Sequence, residues 1–386
     1  MTQDTIAYSG RLINRRTVVR LLLQEGPMTR VDIARFMGLS KPTVGVLVSE
    51  LEADGLVAPT GLIEGKVGRA ATEYSVRPDI AEVAAVDLSR TIVSANVTGL
   101  KAGQASLNAT ERNDMSSADA LLSQVGRMVR TLSDRALLQK ATVKVLSVAM
   151  PGVTDPRTGR VAFAPKLPDF GEINVRAELE AKTGCSVVIT NDVNAAALGE
   201  RARGHGANID DFAFVHIGPG LGAGLVLDGE LRVGPSGTAG EISWLPFAVL
   251  PDDGEIIDLR RGGLEAALDA SQLLVGVAAS DLETYFQLVA SGDQAAQASA
   301  RRFSWLVAQA IASMSATLDL SMAVLGGELG NRDEFLPLVR EQLTTFASSP
   351  PTVMTSALGP DAALMGAAAI GADLAREMVL ELATSL

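Results

Sequence analysis

The chain has 386 residues, 47% hydrophobic and 20% charged, enough to bury a sizeable core and too long for one average domain, so disorder and a small disulfide-stapled scaffold are both excluded. A formal net charge of −12, taken as an average, argues against a polyanionic partner such as nucleic acid or an acidic membrane. One cysteine, Cys185, and two histidines exclude an internal disulfide and leave little for a zinc site; no metal or other cofactor and a cytoplasmic location are the expectation.

The average hides a division. Residues 1–77 hold 10 Lys/Arg and 8 Asp/Glu, net +2, and the remainder carries −14, so the two parts have different electrostatic roles. Arg11, Arg15, Arg16 and Arg20 interrupt any signal-peptide core. Ile13, Val18, Leu21 and Leu22 instead mark the apolar stripe of a helix over about 11–24, stopped by Gly26-Pro27. Thr29 caps a short helix with Val31, Ile33, Ala34 and Met37 inward, and Gly38-Leu39 turns the chain into Ser40. Ser40 is a good N-cap for a helix with Pro42 in its first turn and Val44, Leu47, Val48 and Leu51 inward. Leu56 to Ala58, a Gly-rich tip at 61–68 and Thr72 to Val76 predict a two-stranded wing.

Helix, helix, turn, helix and wing is the order of a winged helix-turn-helix, expected over 1–77 with a linker at 78–82. In such a module the last helix enters the major groove. Ser40, Lys41 and Thr43 at its N-terminus, with the side-chain-free Gly45, then face bases or phosphates, and Lys66 and Arg69 on the wing reach the minor groove or flanking phosphates. The competing reading is a small helical interaction domain with a solvated basic face. Because one such arm is small, a double-stranded DNA operator calls for two of them on a two-fold site, hence a homodimer or homotetramer.

From Val83 the periodicity changes. Val83 to Leu88, Thr91 to Val97 and Ala102 to Leu107 read as strands, a helix follows at about 117–138, and Val143 to Ala149 is a parallel-type strand ending at Pro151-Gly152. A helix at about 173–183, strand Val187 to Thr190 and a helix at 193–203 complete a first set. The same grammar restarts with strands Phe212 to Ile217, Ala223 to Leu227 and Leu231 to Val233, the last two joined by an Asp228-Gly229 hairpin. Helices at about 281–290 and 294–319, strand Met322 to Leu325, a helix at 333–347, strand Val353 to Ala357 and a terminal helix follow. The Ala- and Gly-rich stretch Ala362 to Ala375 is too short and, at Asp373, too polar for a membrane span, and no membrane partner is expected. Two such sets predict an α/β two-lobed, actin-like ATPase (ribonuclease H-like) domain at 83–386, with lobe 1 at about 83–190 plus the C-terminal helix, lobe 2 at about 191–365, and a cleft between them.

Candidate chemistry lies at strand ends. Asp192 follows an apolar strand and precedes a helix, where its carboxylate, beside the Asn191 amide, projects into the cleft; it can accept a hydroxyl proton, hydrogen-bond a sugar hydroxyl, or merely cap the helix. Gly218 to Gly224 can bring backbone N–H groups near a phosphate or serve only as a tight strand connection, with Pro219 removing one donor. Glu241 and Glu265, taken singly, are ordinary carboxylates.

Taken in order, Asn191-Asp192-Val193-Asn194-Ala195-Ala196-Ala197-Leu198-Gly199-Glu200, Gly218 to Gly224, Ala239-Gly240-Glu241-Ile242 and Gly326-Gly327-Glu328 resemble the ROK family (repressors, open reading frames, kinases) over essentially the whole chain. The preceding helix-turn-helix, with Gly68-Arg69 in its wing, is similar to the family's transcriptional-regulator branch of xylose and N-acetylglucosamine repressors. The resemblance implies a kinase base position at Asp192 and sugar-hydroxyl contacts at Asn191, Glu241 and Glu265. It also implies departures. Family kinases carry Asp-x-Gly-Gly-Thr where this chain has Asp87-Leu88-Ser89-Arg90-Thr91, so a Cβ and a long side chain obstruct the approach to ATP phosphates. Pro219 replaces a usual Thr. Trp244 stands at a zinc-site His position, and residues 251–263 lack the family's cysteines, so no zinc is expected and Trp244 stacks on a pyranose or fills the pocket. Lys166, where many relatives use Asn, favours an anionic ligand.

The resulting expectation is a non-enzymatic DNA-binding regulator, a repressor of carbohydrate-metabolism genes, whose kinase-like domain dimerises and senses a sugar or sugar derivative. The alternatives are a bifunctional ATP-dependent sugar kinase that also binds DNA, and a regulator with a degenerate pocket.

Overall fold

The structure, a computed structural model, describes residues 3–63, 71–89, 91–100, 107–136, 140–154, 161–162, 173–218, 220–245 and 273–385. The tip of the wing with Lys66 and Arg69, together with Arg90, Lys166, Pro219 and Glu265, lies outside the described residues.

The N-terminal module is built by local signals. α1 (Gln3–Glu25) begins well before residue 11 and ends at Gly26-Pro27. Thr29 caps α2 (Arg30–Met37), its Oγ1 accepting from Asp32 N at 3.2 Å, and Gly38 closes that helix in the left-handed region. Ser40 caps α3 (Lys41–Ala53) by accepting from Thr43 N, with Val44, Leu47, Val48 and Leu51 buried as the periodicity requires. Two apolar positions depart from the sequence reading. Ile13 is 65% exposed and Val31 is exposed, because the core beneath α1 and α2 is filled by Val18, Val19, Leu21, Leu22, Ile33 and Ala34. The wing also gains a strand: β1 (Met28–Thr29) pairs with β3 (Ala71–Val76), which pairs with β2 (Val57–Ile63), in the order β1-β3-β2. The turn at Gly26-Pro27 lays residues 28–29 along an edge that a two-residue strand is too short to announce.

β4 (Ala81–Leu88) starts inside the segment expected to be linker, and Val143 N donates to Ile80 O, so the chain joins the next sheet almost at once. β5 (Ile92–Thr98), β6 (Leu107–Arg112), α4 (Ala118–Ala136), β7 (Val143–Met150), the short pair β8 (Val153–Thr154) and β9 (Val161–Ala162), α5 (Val175–Thr183) and β10 (Ser186–Asn191) follow. The third strand lies five residues beyond the one expected from Ala102; residues 101–106 are outside the described set, and β6 is a largely exposed edge strand whose only inward apolar residues are Leu107 and Ala109, too short an alternation to mark it. After α6 (Asp192–Arg203) come β11 (Phe212–Ile217), β12 (Leu221–Leu227), β13 (Glu230–Leu231), α7 (Leu282–Ser291), α8 (Gln294–Leu318), β14 (Met322–Gly326), the single turn α9 (Gly327–Gly330), α10 (Phe335–Phe346), β15 (Thr352–Thr355) and α11 (Ala362–Leu382).

The two five-stranded sheets repeat one topology. In β10-β7-β4-β5-β6, a β4–β6 antiparallel meander continues into parallel β7 and β10; in β13-β12-β11-β14-β15, a β11–β13 meander continues into parallel β14 and β15. This is the two-lobed α/β architecture expected. Its joint is α6 against α11, whose backbones touch: a Cβ on Gly366 would sit 1.7 Å from Ala195 O, and one on Gly199 2.2 Å from Ala362 O. Close backbone approach, rather than apolar bulk, explains the Ala- and Gly-rich C-terminal stretch. Among the described residues no helix is long and apolar enough to cross a membrane.

The far end of α11 carries the N-terminal module. Ala375, Val379, Leu380 and Ala383 share one core cluster with Val18, Val19, Leu21 and Leu22. Arg15, 4% exposed, ties three elements together: Nε donates to Ala383 O (3.0 Å), Nη2 to the α3 C-cap Asp54 (2.5 Å), and Nη1 lies 3.6 Å from Glu50 of α3.

Candidate functional site

A cavity of about 740 Å³ opens between the lobes at the carboxyl ends of β4, β7 and β10, where parallel strands leave their sheet and side chains face a common space. Asn191, Asp192, Glu241 and Trp244 all line it; Glu265 lies outside the described residues. Asp87, Ser89, Asn331 and His216 line it as well; Asp87 and Ser89 entered the sequence reading only within the 87–91 motif and not as ligand contacts, and Asn331 and His216 not at all. Asp87 had the same signal as Asp192, a carboxylate at the end of an apolar strand; His216 and Asn331 had none.

Asn191 and Asp192 divide the work between them. Asn191 is the N-cap of α6: its Oδ1 accepts from Val193 N (3.0 Å) and Asn194 N (3.1 Å), and its Nδ2 donates to Gly152 O (3.2 Å). The side chain expected to meet a sugar hydroxyl is thus engaged with backbone on both ends. Asp192, for which capping was one of three readings, is the first helical residue and not the cap; its Oδ1 accepts from Val193 N (2.9 Å) and the residue lines the cavity.

Across from it, burial raises Asp87 to about 7, with the charges of Asp192 and then Asp361 adding to the effect. Ser89 is used to shape a turn: its N–H and Oγ both donate to Ile92 O at 3.1 Å, and its carbonyl accepts from Asn113 Nδ2 at 2.5 Å.

The glycine-rich run divides too. Gly222 and Gly224 lie within β12 against α6, and a Cβ on Gly224 would meet Ala197 Cβ at 2.6 Å and Val193 O at 2.7 Å. Strand-to-helix packing therefore accounts for Gly224, and the loop proper shortens to 218–220. Glu241 precedes a single helical turn, Ile242–Trp244, that leaves Trp244 55% exposed at the cavity rim and Ser243 buried. Cys185 is buried, and burial pushes its thiol up, away from reactivity.

The second surface is the N-terminal half of α3. Ser40, Lys41 and Thr43 are exposed there, in the geometry that places a recognition helix in the major groove.

Comparison with known proteins agrees with both halves. A family model described as "ROK family" matches residues 83–373, and one described as "Winged helix-turn-helix DNA-binding" matches residues 11–58. The chain is 28% identical over 233 residues to the xylose repressor of Caldicellulosiruptor bescii, covering 60% of this chain and 57% of the repressor. It is 27% identical over 302 residues to the N-acetylmannosamine kinase of Pasteurella multocida, covering 76% of this chain and 98% of the kinase. Among solved structures, a ROK family transcriptional regulator described as a homolog of the E. coli MLC protein superposes with TM-score 0.75 at 21% identity, covering 97% of this chain and 99% of that one, which shows a shared fold.

Proposed function

This chain belongs to the ROK family, and from that membership we propose that it is a DNA-binding transcriptional regulator, a repressor of carbohydrate-metabolism genes, whose two-lobed domain senses a sugar or sugar derivative. The observation that carries the reading is the winged helix-turn-helix docked on the C-terminal end of α11, the helix whose N-terminal end, at Ala362 and Ala363, borders the interlobe cavity. A ligand that favours one lobe closure shifts α11 against α6, and α11 holds α1 and, through Arg15, α3. Paired arms in a dimer or tetramer convert that shift into a change of half-site spacing.

In the cavity, Asp192 and Glu241 accept from sugar hydroxyls and Trp244 offers an apolar ring to a pyranose face. Asn191 contributes by fixing the start of α6. Lys41 and Thr43 meet DNA at the N-terminus of α3, and Lys66 and Arg69 of the wing meet the backbone or minor groove. Ser89, whose N–H and hydroxyl both donate to Ile92 O, supports a non-catalytic role, because neither donor is left to meet a phosphate. Kinase relatives and the retained Asp192 favour one second reading, a bifunctional sugar kinase.

Three measurements on the full chain separate these. Sites selected from a random duplex pool are titrated by fluorescence anisotropy with and without a panel of sugars, sugar phosphates and sugar acids, and ATP turnover is followed over the same panel. The regulator reading requires site-specific binding that at least one ligand alters. Robust turnover abolished by Asp192→Asn would establish the kinase instead. Lys41→Ala and Arg69→Ala should each lower affinity and reduce the salt slope by about 1 if they contact phosphates.

A further inference from the structure

Base edges in the major groove are read by matching hydrogen-bonding groups or by apolar contact with the thymine methyl. α3 is poor in the first kind. From Lys41 to Ala53 it contains no Arg, Asn, Gln or His, so the bidentate pairing by which Asn or Gln selects adenine, or Arg selects guanine, is absent from this helix. Lys41 at the N-terminus is the helix's one side chain of the guanine-reading kind; of the other polar groups, the Thr43 and Ser40 hydroxyls bond each other at 2.7 Å, Ser49 Oγ accepts from Arg30 Nη2 at 3.1 Å, and Glu50 is held by Arg11 and Arg15.

What the middle of the helix turns outward is Val46, 57% exposed, beside Gly45, where a Cβ would meet no atom within 4 Å. Both are poor helix formers, and neither fills the core, so the stability of the helix does not account for them. Val46 lies three and four residues beyond Thr43 and Pro42, both exposed, and so continues their face. An exposed valine on a recognition helix flanked by a glycine that permits close approach matches one feature of DNA, the C5-methyl of thymine.

We propose that α3 reads its operator by apolar contact, with Val46 against thymine C5-methyl groups and Gly45 setting the depth of the helix in the groove. The half-site then carries thymine opposite the centre of α3. This rests on the DNA-binding reading above.

The test uses the full chain and its selected duplex. Each thymine of one half-site is replaced in turn by deoxyuridine, which removes the methyl and keeps the Watson–Crick and major-groove hydrogen-bonding pattern. At one or two positions per half-site wild type should lose about fourfold in affinity per methyl, the worth of one buried methyl group. Val46→Ala, an exposed change that leaves the core intact and shortens the apolar contact, should bind the thymine duplex more weakly and show a smaller loss with deoxyuridine than wild type does. Equal affinity of wild type for both duplexes, or an undiminished loss in Val46→Ala, overturns the proposal while leaving DNA binding in place. Failure of any sequence to enrich overturns the DNA-binding reading itself, and this inference with it.

Discussion

Replacing Asp87 by Asn removes an ionisable group that the fold holds in its neutral form well above the usual carboxylate range. Its pKa rises from 3.8 to about 7, first because it is buried and then because Asp192 and Asp361 face it. Between about pH 4 and pH 7 the folded chain therefore keeps a proton that the unfolded chain releases, so this group makes stability fall as pH rises through that window. At 1.36 kcal/mol per pH unit the full difference is about 4 kcal/mol, and water reaching the partly exposed side chain reduces this to about 2–4 kcal/mol. Asn at this position cannot ionise and escapes the loss. The unfolding free energies of wild type and Asp87→Asn, from urea transitions between about pH 4 and pH 8, should coincide near the acid end and diverge upward, with the variant more stable above about pH 7. Asp192→Asn should recover only a fraction of the difference, since burial is the larger cause. A stability difference that does not vary with pH, or a variant that is the less stable at pH 8, would refute the reasoning.

Arg15→Met leaves Asp54 and the Ala383 carbonyl without their buried donor and should cost about 2–3 kcal/mol in thermal unfolding; it should also blunt any effector-induced change in operator affinity, and an undiminished response would exclude Arg15 from the route. Glu200, fully buried, accepts from His205 N (2.8 Å), Ser356 Oγ (2.6 Å) and Leu358 N (3.2 Å), tying α6 to the loop before α11. Glu200→Ala should lower stability by about 3 kcal/mol, with Glu200→Gln intermediate, as read by denaturant midpoints. Gly366→Ala forces α11 away from Ala195 and should cost about 1–3 kcal/mol; unchanged stability and unchanged ligand response together would show that this close contact is not the joint through which the lobes move.

The elements most legible in the sequence are those whose causes are short-range. Thr29 and Ser40 cap the helices that follow them, Gly38 takes the left-handed turn between, and the buried face of α3 contains the four residues its spacing selects. The repeated strand pattern was equally readable, because buried strands are nearly continuous apolar runs. The edge strand β6 and the two-residue β1 were not, since β6 turns only Leu107 and Ala109 inward before its polar end and a very short strand has no period. At the cavity, Asp192 and Glu241 could be placed by motif, and the Asn191 cap of α6 is local, yet the engagement of its amide with Gly152 O depends on a backbone position 39 residues away.

By itself, then, the sequence determined a mildly cationic helix-turn-helix ahead of a larger acidic domain with two matching lobes, because capping, turn chemistry and periodicity act within a few residues. Only the tertiary structure decided that Asp87 faces Asp192, that Gly199 meets the backbone of α11, and that Arg15 joins α1 to α3 and to the end of the chain. Those are encounters between segments distant in the chain, and their energies come from burial and charge in a shared space, which local patterns do not record.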